Sequence, residues 1–196
     1  MGRRGCGMPT TPATFRPHIV LVLGGAASGK SEFAERYAVS LGGSVCYVAT
    51  AEPGDEEMRC RIERHKARRP PEWRTREVTR DLASHLTADS RSEIILVESL
   101  GMVLANHMAV VPQAGFGPLE LRGILRTEIG ALVGLSASWK AVLIVVSEEV
   151  GLSLVPLTPF ARGFSEQLGW CNQHTAALAD EVYLVVAGIS IRLKPQ

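Results

Sequence analysis

The sequence has few cysteines, few aromatic residues and almost no net charge. No C-x-x-C pair and no spacing typical of metal ligands is present, which argues against a disulfide framework and against a zinc site. Aromatic residues make up 6% of the 196 residues and the formal net charge is +1, so the chain as a whole is not attracted to nucleic acid. We expect the four cysteines to be reduced, as in a cytoplasmic protein: Cys6, Cys46, Cys60 and Cys171.

Long apolar runs are also missing. No stretch reaches the roughly 18 apolar residues that a membrane span needs, so we expect no membrane span and a cytoplasmic location. Residues 1–17 are rich in Gly, Pro, Arg and Thr, which predicts a flexible N-terminal leader. Residues 18–196 have the length of one domain.

Short apolar runs alternate with segments that have helical periodicity. Each run is almost continuously apolar, which is typical of strands buried on both faces of a parallel sheet. The alternation predicts an α/β fold of the P-loop NTPase type, a doubly wound, mostly parallel sheet with helices on both faces. The predicted strands are 19–23, 45–50, 94–97, 141–146 and 182–187, and the predicted later helices are 56–67, 99–108, 118–136 and 160–179.

The first strand runs directly into a phosphate-binding loop. Residues 24–31 read Gly-Gly-Ala-Ala-Ser-Gly-Lys-Ser, which matches G-x-x-x-x-G-K-[ST] and is followed by an amphipathic helix. Lys30 would place its charge on the β- and γ-phosphates, and Ser31 would offer a hydroxyl to Mg²⁺. Glu98 ends an apolar strand and is interpreted as the acidic residue that holds the same Mg²⁺, although a solvent-facing carboxylate is the alternative.

A basic segment with one histidine follows the second strand. Six basic residues crowd between Arg59 and Arg69, either as a solvated helix face or as a clamp for a second phosphate group. His65 shares a helix face with Met58 and Ile62, which is also the pattern of a merely packed histidine. Nearby guanidinium groups favour a neutral imidazole, which can attack phosphorus. Because His65 lies about 15 Å of helix beyond Asp55, the helix must lie across the sheet edge or swing inward.

Several segments together resemble one family. The phosphate loop, Tyr47-Val-Ala-Thr50, Arg64-His-Lys66, Trp73-Arg-Thr75 and Glu149-Val-Gly151 are similar to the bifunctional adenosylcobinamide kinase / adenosylcobinamide-phosphate guanylyltransferases of cobalamin biosynthesis, over residues 18–194. The resemblance implies phosphorylation of the corrinoid adenosylcobinamide with ATP or GTP. His65 would then take GMP from GTP and pass it to adenosylcobinamide phosphate, giving adenosylcobinamide-GDP. It also implies a homotrimer.

The resemblance assigns roles residue by residue. His65 is the implied carrier of GMP and, with Lys30, a catalytic residue, while Ser31 and Glu98 keep the role of metal ligands argued from the phosphate loop and the strand end. The chain departs from the usual pattern at Glu148, where an Asn is common, at residues 99–101 and at 165–166. The implied nucleotide contacts are Gly24, Gly25, Ala26, Ala27, Ser28, Gly29, Lys30, Ser31, Ala49, Thr50, Ala51, Lys66, Ala67, Arg68, Arg69, Glu77 and Glu98.

Other functions remain as alternatives at this point. One is a P-loop kinase for another small alcohol, with His65 in a structural role. A GTPase switch is a different class, but the chain lacks N-K-x-D and D-x-x-G. A nucleic-acid-dependent ATPase could use the basic helix, but low net charge and the lack of interleaved aromatic residues argue against RNA or DNA as a partner.

Overall fold

A computed structural model describes residues 15–110 and 118–194 of the chain. Most of the predicted leader, residues 1–14, therefore lies outside the described residues. The strands are β1 (Ile19–Gly24), β2 (Val45–Ala49), β3 (Arg74–Glu77), β4 (Ile94–Glu98), β5 (Val142–Glu148), β6 (Glu181–Val186) and β7 (Ile189–Lys194). The helices are α1 (Lys30–Leu41), α2 (Glu56–Arg68), α3 (Leu82–His85), α4 (Leu100–Val110), α5 (Pro118–Trp139) and α6 (Pro159–Leu178), with a 3₁₀ turn at Ala88–Ser90.

The seven strands form one sheet in the order β3-β2-β4-β5-β1-β6-β7. Every neighbouring pair is parallel except β6 and β7, which are antiparallel. The carboxyl ends of β1, β2, β4 and β5 therefore meet at one edge, where open α/β sheets bind their ligands. The register sets Ala49 beside Glu98 and Gly24 beside Glu148, so all four strand ends contribute to that edge.

Helices cover both faces of the sheet, as the sequence predicts. In β1 the side chains alternate: Leu21 packs with the α3–α6 side and Val22 with the α1 side. Ala34 and Ala38 of α1 pack on the α1 side of the sheet, whereas apolar residues of α3, α4, α5 and α6 pack on the other side. The predicted α/β class is confirmed. Helix α2 differs from the other helices in that none of its residues is buried.

The sequence-based prediction of five strands was wrong, because it missed two of the seven strands in the sheet. β3 reads Arg-Thr-Arg-Glu and lies at one edge of the sheet, where charged side chains remain in solvent. β7 alternates apolar and polar residues at the other edge, and all six of its residues are exposed. Neither has the continuous apolar run used to identify a strand. Within residues 15–110 and 118–194, no helix is long and apolar enough to cross a bilayer.

Candidate active site

The phosphate loop connects β1 to the first residue of α1. A Cβ atom on Gly24 would lie 2.7 Å from the carbonyl oxygen of Val185, so only glycine fits there. Gly29 has a φ of +90°, a left-handed conformation that side chains disfavour, and it immediately precedes α1. The loop therefore turns tightly and leaves the amino end of α1 facing the sheet edge, where backbone N–H groups can bind phosphate.

Lys30, Ser31 and Glu98 meet beneath this loop. Lys30 is almost fully buried, and its Nζ donates to the carbonyl oxygen of Gly25 at 3.3 Å. The hydroxyl of Ser31 donates to the Glu98 carboxylate, which also accepts a hydrogen bond from Tyr47 at 3.3 Å. Burial raises the pKa of the Glu98 carboxyl, and the Ser31 hydrogen bond partly offsets this effect.

These groups fit a magnesium ion. Mg²⁺ binds oxygen ligands, and a P-loop serine with an acidic strand-end residue is a pair that holds it in nucleotide-binding proteins. The Ser31 hydroxyl and the Glu98 carboxylate are in contact, so both can face one ion. In the same loop, the buried Oγ of Ser28 finds no hydrogen-bond partner among the described residues. An oxygen-rich, polar ligand would satisfy it.

Helix α2 lies across the carboxyl edge of the sheet, which is one of the two arrangements expected from the sequence. It begins at Asp55, whose side chain accepts a hydrogen bond from the Met58 N–H at 2.8 Å. Its last turns approach the phosphate loop, and His65 Nδ1 lies 3.9 Å from Glu98 Oε1. The imidazole is thus adjacent to the groups that would bind Mg²⁺ and phosphate.

Polar contacts hold α2 in this position, since it buries no side chain. Arg68 reaches two carboxylates of α1, with Nη1 3.0 Å from Glu32 and Nη2 3.2 Å from Glu35. Lys66 pairs with Glu77 of β3 at 3.0 Å. These pairs, made one and three residues after His65, join α2 to α1 and to β3, so the position of the imidazole depends on them.

The environment of His65 favours the neutral ring. Partial burial, together with the guanidinium groups of Arg68, Arg61, Arg69 and Arg64, lowers the pKa of the imidazole to about 4. A charge-neutral imidazole has a free lone pair, which a nucleophile requires. Near pH 7 the His65 ring is therefore in the reactive protonation state.

Two cavities adjoin at His65. The first, which we call the phosphate cavity, has a volume of about 500 Å³ and is lined by residues 26–32 together with Arg61, Arg64 and Arg68. The second, the side cavity, has a volume of about 400 Å³ and lies between α2, α4 and the ends of β4 and β5. His65 and Lys30 line both cavities. One imidazole can thus reach ligands in either.

The predicted nucleotide contacts are distributed unequally over this site. Residues 26–31 and Arg68 line the phosphate cavity, whereas Ala49, Ala51, Lys66, Arg69, Glu77 and Glu98 line the side cavity. Thr50 lines neither: its buried hydroxyl donates to the Ser99 carbonyl oxygen at 2.9 Å and accepts from the Ser99 N–H at 2.6 Å. Ala67 is exposed on α2 and lines neither cavity. Thr50 therefore contributes by joining the ends of β2 and β4.

Two acidic residues of the site carry weaker sequence signals. Glu35 lies one helical turn after Ser31, and this spacing is the only sequence signal that it faces the site. One ligand atom each of Glu35, His65 and Glu98 lie within 4.8 Å of one another. Glu148 ends β5 and lies 3.7 Å from Lys30 Nζ. Ser99 Oγ lies 3.0 Å from both oxygens of Glu148. The strand end at Glu148 therefore adds negative charge to the side cavity.

Comparisons with known proteins agree on one family. A family described as cobinamide kinase / cobinamide phosphate guanyltransferase matches residues 20–193. The bifunctional adenosylcobalamin biosynthesis protein CobP of Pseudomonas aeruginosa is 39% identical over 175 residues, which cover 89% of this chain and 96% of that protein. The bifunctional adenosylcobalamin biosynthesis proteins CobU of Salmonella typhimurium and Escherichia coli are 37% and 35% identical, each covering 90% of this chain and 99% of theirs.

The RadB recombinase matches with a TM-score of 0.49 and 18% identity, over 87% of this chain and 75% of that one.

Proposed function

The chain belongs to the cobinamide kinase / cobinamide phosphate guanyltransferase family, and we propose from this premise that it catalyses both reactions, with His65 as the carrier of GMP. The observation that supports this carrier role is the position of a neutral imidazole at the junction of two cavities, 3.9 Å from Glu98.

The kinase reaction uses the phosphate loop. ATP or GTP binds with its phosphates along residues 24–31, and the Lys30 ammonium stabilises negative charge on the β- and γ-phosphates. The hydroxyl of the aminopropanol arm of adenosylcobinamide enters from the side cavity. Its oxygen bonds to the γ-phosphorus as the bond to the β-phosphate oxygen breaks, and the hydroxyl proton is released.

The guanylyl transfer begins at the His65 ring. A ring nitrogen attacks the α-phosphorus of GTP, a nitrogen–phosphorus bond forms, and pyrophosphate leaves with the bridging oxygen. Lys30 stabilises the charge on this leaving group. A phosphate oxygen of adenosylcobinamide phosphate then attacks the same phosphorus. The electron pair returns to the imidazole, and the product is adenosylcobinamide-GDP.

Mg²⁺ is the proposed cofactor, with Ser31 and Glu98 as its protein ligands. When bound, it would neutralise phosphate charge in both reactions. We also propose that the protein is a homotrimer, as the family resemblance implies, and that it works in the cytoplasm. The location is supported by the cysteines of the described residues, since Cys46, Cys60 and Cys171 are all free.

The experiment that tests the proposal needs no corrinoid. The protein is incubated with Mg²⁺ and GTP labelled at the α-phosphorus, and the denatured protein is analysed for label. We expect one label per chain at His65, labile in acid and stable in base, as for a phosphorus–nitrogen bond. His65→Asn should take up none, while His85→Asn, the same change at an exposed histidine at the end of α3, should label normally. If no label appears on the unaltered protein, only the kinase function remains.

A further inference from the structure

A segment with high apolar exposure follows β5. Between residues 151 and 160, which we call the apolar segment, five large hydrophobic side chains are between 60% and 95% exposed. They are Leu152, Leu154, Val155, Leu157 and Phe160. Clusters of this kind in a short stretch mark a binding surface, because water disfavours them strongly.

Both ends of the apolar segment adjoin the side cavity. Glu148 lies three residues before the segment and Phe164 four residues after it, and both side chains line the cavity. Arg162 holds the segment against the start of α6, since its Nη1 donates to the carbonyl oxygens of Pro156 at 3.1 Å and Leu157 at 2.8 Å. The exposed side chains are thus borne on a braced loop beside the cavity.

The size of the side cavity limits what can enter it. Its volume is about 400 Å³. Pockets for drug-sized molecules take up about 300–1,000 Å³, and a corrinoid is several times larger than such a molecule. The inner wall of the cavity carries Lys30 and Glu98, the groups next to the phosphate loop. The cavity can admit the aminopropanol arm, and the macrocycle must remain outside, at the rim.

We propose that the apolar segment is the platform on which the corrin macrocycle of the acceptor rests while its arm reaches Lys30 and His65. The inference rests on the proposed function, because it takes the corrinoid as the acceptor. The macrocycle carries many methyl groups on its faces, and covering the exposed leucine side chains with them removes apolar surface from water. The segment therefore supplies acceptor affinity without taking part in the chemistry.

Two leucines at the centre of the segment provide the test. In Leu154→Ser/Leu157→Ser, we expect the KM for adenosylcobinamide in the kinase reaction to rise at least about tenfold while kcat stays within about twofold. Leu193→Ser is the matched control. Leu193 is an exposed leucine of the outer strand β7, beside the start of β6 and so at the end of the sheet away from the cavities, and its replacement should leave KM unchanged. GMP labelling of His65 from GTP alone should be normal in both variants, which separates failure of this inference from failure of the proposed function.

A second copy of the chain is the competing occupant, and sedimentation decides between them. The double variant should keep the oligomeric mass of the unaltered protein. A smaller mass would assign the segment to an interface between copies and overturn the proposal, whatever the KM. An unchanged KM at unchanged mass would also overturn it. A corrinoid that lacks the aminopropanol arm should inhibit the unaltered protein competitively and inhibit the double variant at least about tenfold more weakly.

Discussion

The imidazole of His65 is expected to remain neutral far below the pH at which an exposed histidine becomes charged. Burial and four neighbouring arginines lower its pKa to about 4, compared with the usual value near 6.5. At pH 5.5 about 3% of His65 rings would then be protonated, whereas about 90% of ordinary histidines would be. The nucleophile should therefore stay in its reactive form throughout the range from pH 5 to 8.

Nuclear magnetic resonance can measure this pKa directly. The Cε1–H signals of the histidines are followed from pH 3.5 to 8 in protein free of nucleotide and Mg²⁺, and the His65 signal is the one missing from His65→Asn. The unfolded chain binds more protons at this residue between pH 4 and 6.5. His65 should therefore lower the free energy of unfolding as pH falls through that window, and have no effect above it. A midpoint near 6.5 would refute the described partial burial of the ring among the arginines.

Three further predictions concern the site and its support. Lys30→Ala should lower both transfer rates at least about 100-fold in steady-state assays with the fold retained, because no other group of the phosphate loop supplies a positive side chain. Gly24→Ala should lower the free energy of unfolding in urea by about 1–3 kcal/mol, since the new methyl group would press on the Val185 carbonyl; an unchanged value would contradict the described turn. Glu128→Gln should cost about 2–3 kcal/mol in the same assay and spare activity, because the buried carboxylate accepts from the Leu82 N–H at 3.1 Å and from His107 at 3.0 Å, and Glu128 lines neither the phosphate cavity nor the side cavity.

The central strands and the phosphate loop could be predicted from the sequence for a physical reason. A strand buried on both faces must be apolar throughout, and β1, β4 and β5 each carry that signal. Edge strands do not have to be apolar, which is why β3 and β7 were missed. The sequence thus predicts best the strands that are buried on both faces, because only apolar residues are suitable at their positions.

The position of α2 could not be predicted in the same way. None of its residues is fully buried, and only Met58, Ile62 and His65, the face predicted from their spacing, are half-buried. Hydrophobic periodicity therefore identifies the inward face of α2 but not where the helix lies on the sheet edge. Its place depends on ion pairs between residues distant in the sequence, such as Arg68 with Glu32 and Glu35. The chemistry of His65 and Glu98 was predicted from residue types, while their 3.9 Å separation emerges only once the chain is folded.

The claim that His65 carries GMP between two substrates is tested most directly by a chase experiment. The protein labelled with GMP from GTP is freed of nucleotide and mixed with adenosylcobinamide phosphate in a single turnover. We predict that the label leaves His65 and appears in adenosylcobinamide-GDP in equal amount, and faster than the adduct hydrolyses. Label that stays on the protein, or product that forms equally well with His65→Asn, would contradict the account.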